Sequence, residues 1–95
     1  MPRLSGSAMP LALIGLSGPE LSTLIGAPRW TRRESPAEVW QYQGASCILD
    51  VYLYAEAGAL RVIHAEARDD SALPVTIADC LERIEAERRP GTPAS

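Results

Sequence analysis

Apolar positions recur first at a helical spacing, then at a strand spacing, then at a helical one again. Leu21, Leu24 and Ile25 stand at i, i+3 and i+4, one stripe of a short helix. Ser17 and Glu20 form the two ends of a capping box, and Pro19 sits in the first turn, where its missing N–H is not needed. Gly26 followed by Pro28 ends the helix. The period then changes to two. Glu38–Tyr42 sets Trp40 and Tyr42 on one face and stops at Gly44. Cys47–Tyr54 sets Cys47, Leu49, Val51 and Leu53 on one face and Ile48, Asp50, Tyr52 and Tyr54 on the other. Ala57–Gly58 reads as a hairpin turn into a third strand, Leu60–Arg68. Between Pro74 and Glu87, Ile77, Cys80, Leu81 and Ile84 return to the 3.6 spacing of a helix.

Short connections favour strands that pair with their sequence neighbours. The expected fold is therefore α+β: a short N-terminal helix, a three-stranded antiparallel β-meander and a C-terminal helix, with both helices packed on one sheet face. Residues 11–88 form the single expected domain. Residues 1–10, rich in Ser, Gly and Pro, read as a disordered leader, and residues 89–95 as a disordered tail. The apolar run Leu11–Ile14 is shorter than the roughly 7–15 residues of a secretory core. Any export signal is expected upstream of Met1.

Composition narrows the chemistry. The chain has 95 residues, a net charge of -3, one His, two Cys, and neither Lys nor Asn. That balance lacks the basic footprint of a nucleic-acid binder, and the 46% hydrophobic content is too high for a wholly disordered chain. No Gly-rich phosphate loop, carboxylate pair or cofactor fingerprint is present in the sequence, so no catalytic residues, cofactor or metal are expected. By period two, His64 shares a face with Val62, Glu66 and Arg68 and reads as a surface or packing histidine.

Two features suggest binding. Trp40, Tyr42, Tyr52 and Tyr54 on neighbouring strands make one aromatic sheet face, suited either to anchoring a partner or to packing under a helix. Asp50 in that row favours exposure. Arg29, Trp30, Arg32, Arg33 and Glu34 form a basic-aromatic loop between helix and sheet. Such a loop suits an acidic protein surface or anionic headgroups, or is simply solvated with a local Arg–Glu pair. Trp40, Tyr42, Tyr52, Tyr54, Arg32 and Arg33 are the candidate partner-binding residues.

The stretch Leu13-Ile14-Gly15-Leu16-Ser17-Gly18-Pro19-Glu20-Leu21, with Leu24-Ile25-Gly26-Ala27-Pro28 and then Val39-Trp40-Gln41-Tyr42, resembles the SmpA/OmlA domain of the outer-membrane assembly lipoprotein BamE. Arg33–Tyr42, Cys47–Asp50 and Leu53-Tyr54 are also similar to a set of small alphaproteobacterial proteins. The resemblance spans roughly Ile14 to Arg68. It implies a helical N-terminal part packed on a three-stranded antiparallel sheet, an outline shared with the β-lactamase inhibitor proteins. It implies a non-enzymatic scaffold in the periplasm or at the outer membrane, holding another protein of the envelope or its assembly, with peripheral membrane association. The shared outline carries an alternative, a soluble inhibitor or regulatory module.

In such an exported domain, Cys47 and Cys80, on different elements and 33 positions apart, read as a disulfide. Two buried free thiols, or a metal or redox pair, are the other readings of the same two residues.

Overall fold

In a computed structural model of the protein, residues 13–88 are described. The expected leader and tail lie outside them.

Helix α1 (Gly18–Ile25) begins where its capping box places it. The Ser17 hydroxyl accepts from the Glu20 N–H at 3.2 Å, and the Glu20 carboxylate accepts from the Ser17 N–H at 2.8 Å. Leu21 and Ile25 are buried, whereas Leu24, counted in the same stripe, is 55% exposed at its margin. The chain then enters a four-stranded sheet, one strand more than expected. The added strand, β1 (Trp30–Glu34), is the segment read as a basic-aromatic loop. It has no apolar alternation because all five residues are exposed, so its strand character rests on pairing with β2 (Ala37–Gly44) across the two-residue turn Ser35–Pro36.

Strands β3 (Cys47–Glu56) and β4 (Ala59–Asp69) complete an antiparallel sheet of order β1-β2-β3-β4. Both Ala57 and Gly58 have positive φ, the backbone a two-residue hairpin needs to match strand twist. A bulge between Tyr52 and Leu53 opposes Tyr52 to His64 but Leu53 to Val62, leaving Ile63 over. The extra residue overturns the strict period-two reading of β4: Val62 points into the core, 1% exposed, while His64 is on the other face.

Helix α2 (Ile77–Arg88) starts three residues after Pro74, capped by the Thr76 hydroxyl, which accepts from the Asp79 N–H at 3.0 Å. Pro74 and Val75 instead run beside β4, where the Val75 N–H donates to the Ala67 carbonyl. Both helices pack on one sheet face, and the core joins Leu13, Leu21 and Ile25 to Leu49, Val51, Leu53, Cys80 and Ile84.

Three contacts fix α2 on the turn between β2 and β3. The Cys47–Cys80 disulfide joins the two elements, with both cysteines buried. At Gly44, an added Cβ would stand 2.7 Å from the Ile84 backbone nitrogen, so only glycine admits the helix at this distance. Arg83 donates to the Ser46 carbonyl at 3.1 Å, closing the turn from above.

Candidate interaction surface

Among the described residues the helices leave the second face of the sheet uncovered, and cross-strand register sets out what it presents. One row crosses all four strands as Arg32, Val39, Tyr52 and His64; the next runs Trp30, Gln41, Asp50 and Glu66. Tyr54 stands opposite Ala37 at one end, and Arg68 opposite Ile48 at the other.

At its centre a carboxylate is buried without a helix above it. Asp50 is 7% exposed and accepts from Gln41 Nε2 at 2.9 Å and from Arg68 Nη1 at 2.6 Å. This carboxylate holds the Arg68 guanidinium even more firmly protonated than usual, first through the hydrogen bond and then through its charge. Beside it the Tyr52 and His64 rings lie 5.4 Å apart, tilted at 44°, and His64 Nε2 is 3.0 Å from the Glu66 carboxylate. Burial, with help from Glu66 and Asp50, raises the Tyr52 hydroxyl above its ordinary 10.0, so it stays a neutral donor. Val39 is 3% exposed although it lies outside the core cluster: its neighbours on the open face already cover it. Arg32 sits over the Trp30 ring at 5.9 Å and pairs with Glu34 at 2.8 Å.

The expected four-aromatic face is therefore divided. Tyr52 and Tyr54 lie on the open face, with Tyr54 42% exposed. Trp40 and Tyr42 oppose Val51 and Leu49 and belong to the covered face. Tyr42 is 2% exposed, its hydroxyl donating to the Gly26 carbonyl at 3.0 Å, and is a core residue. Trp40 is half-buried against Gly18 and donates to Glu38 at 2.9 Å. The two arginines also part: Arg32 faces the open side, whereas Arg33 turns to Glu38 on the other. Alternation within each strand was visible in the sequence; the relative register of two strands was not, and it decides which aromatics meet. The same lack of register hid Asp50, Gln41 and Arg68 as one network. Trp30 was visible only as part of a presumed loop.

Neither cysteine is a free thiol, and His64 has the Glu66 carboxylate and the Tyr52 ring beside it. Among the described residues no group of three or more His, Cys, Asp or Glu stands close enough to hold a metal ion, and no helix is long and apolar enough to cross a membrane. The disulfide is consistent with an oxidising, non-cytosolic compartment. Compared with protein-family models, curated proteins and solved structures, the chain matches none.

Proposed function

We propose that this chain is a non-enzymatic protein-binding domain of the bacterial cell envelope, similar in role to BamE, acting in the periplasm or at the periplasmic side of the outer membrane. The observation that carries the reading is the one-sided sheet. Two helices cover one face, while the other offers Tyr52, Tyr54 and Trp30 around a buried, satisfied Asp50 network. Aromatics with a polar handle supply contact area at low conformational cost, and a rigid polar centre fixes the direction of approach. Arg32 lies at the rim of this face. The Cys47–Cys80 staple suits a small domain that must hold its shape where thiols are oxidised.

The test is site-specific photocrosslinking of the full chain in its native host. A crosslinker replacing Tyr54 is expected to capture one envelope protein, and one replacing Glu87 on α2 is expected not to. Capture of cytosolic proteins from position 54, or equal capture from both positions, overturns the reading. A captured enzyme whose activity falls on binding makes the domain an inhibitor instead.

A further inference from the structure

The two edges of the sheet are treated differently. On β4 the outward backbone groups are met at both ends by the chain itself. Near the start, the Val62 N–H donates to Leu16 at 2.9 Å and the Gly15 N–H donates to the Val62 carbonyl at 2.8 Å. Near the end, the Asp69 N–H donates to Leu73 at 2.8 Å and the Val75 N–H to Ala67 at 3.1 Å. An uncovered edge invites further strand pairing, and these contacts blunt it.

The β1 edge has no such cover among the described residues. The Ala55 N–H donates to Pro36, so even-numbered β2 positions bond toward β3 and odd-numbered ones toward β1. The partners of those odd positions, Trp30, Arg32 and Glu34, therefore bond inward, and Thr31 and Arg33 direct their N–H and C=O groups outward. No backbone group of the described residues meets them. All five β1 side chains are exposed, so no helix or loop of the described residues lies across the strand.

Charge states what this edge accepts. Three of the nine arginines lie within Arg29–Arg33 in a chain whose net charge is -3; Arg32 pairs with Glu34 and Arg33 with Glu38, and the side chains of all three arginines remain exposed. A second copy is a poor occupant. Antiparallel self-pairing centred on Thr31 opposes Arg33 to Arg29; centred on Arg32 or Arg33, it opposes each of these to itself. Like charges directly opposite destabilise a strand pair, whereas opposite charges stabilise it. We infer that β1 is an augmentation edge, to which an extended, acidic segment of a partner protein adds as a fifth strand, its backbone on Thr31 and Arg33 and its carboxylates against Arg29, Arg32 and Arg33. This rests on the protein-binding reading above and gives it a mode and a chemistry.

The probe is a capped peptide of alternating Glu and Val, about strand length (~6 residues), titrated into the full chain. Binding is expected to slow amide exchange at Thr31 and Arg33 about tenfold at saturation and to weaken as salt is raised. Thr31→Pro removes an outward N–H without removing a ladder bond and is expected to abolish binding. Arg32→Glu, whose side chain is exposed, is expected to weaken it about tenfold and serves if Thr31→Pro does not fold. Equal binding of a Lys–Val peptide, binding unchanged by both variants, or no binding overturns the edge. So does concentration-dependent dimerisation that protects the same amides, which would make a second copy the occupant. Binding that maps to Tyr52 and Tyr54 with the β1 amides unmoved overturns the edge proposal alone and leaves the open-face reading standing.

Discussion

Helices α1 and α2 cover the same sheet face by different means. Nearly everything that defines α1 lies within ten residues of chain: Ser17 and Glu20 satisfy each other's backbone groups at one end, and the Gly26 N–H donates to the Ser22 carbonyl at the other. Helix α2 is defined at a distance. Its position depends on Cys47, 33 residues before Cys80, on the missing side chain of Gly44, and on the carbonyl of Ser46 that Arg83 reaches. Locally determined elements fail one at a time and mildly. An element fixed by long-range contacts fails with everything it touches.

The largest expected effect comes from removing the covalent tie. Replacing Cys47 and Cys80 together by alanine frees a loop whose closure contributes about 3–4 kcal/mol by the chain-entropy estimate. Denaturant unfolding is expected to show a loss of that size, with α2 amides losing exchange protection before those of α1. A loss below about 1 kcal/mol would mean that packing alone holds the helix. Next is Gly44→Ala, which sets a methyl against the Ile84 backbone and is expected to cost about 1–3 kcal/mol, because backbone, unlike a side chain, cannot rotate away. An unchanged midpoint would show that α2 can lift without loss.

On the other helix, Ser17→Ala removes one cap acceptor and is expected to cost about 1 kcal/mol, with α2 unaffected. The smallest effect is a pH dependence. The backbone hydrogen bond from Ser17, and then its side chain, lower the Glu20 carboxyl below its ordinary 4.5 in the folded protein. The stability this gives is present above the unfolded value and is lost as pH falls through the folded one. The gap between wild type and Glu20→Gln is therefore expected to be open at neutral pH and to close in acid. A gap constant with pH would assign the cap to geometry rather than charge.

The same division explains what could be read in the chain. The α1 limits, the Cys47–Leu53 buried row and the Ala57–Gly58 turn each depend on neighbours a few positions away, and the structure has them where the pattern puts them. Strand β1 escaped because a strand exposed on both faces leaves no alternation, only a partner. Helix α2 starts at Ile77 rather than at Pro74 because Pro74 and Val75, helix-compatible locally, are taken up by the β4 edge. For the interaction surface, Tyr52, Tyr54 and Arg32 were legible as candidates, but their separation from Trp40, Tyr42 and Arg33 was not. A shift of one residue between β2 and β3 would have put Trp40 and Tyr42 on the face of Tyr52 and Tyr54.

The Cys47–Cys80 bond has a topological consequence as well. The loop it closes contains all of β4 and the hairpin tip Ala57–Gly58, an exposed point of the fold. A protease that cuts at this tip divides the chain into two pieces that remain one molecule until a reductant arrives. The domain can thus be nicked without being parted, and reduction rather than cleavage decides when its halves separate.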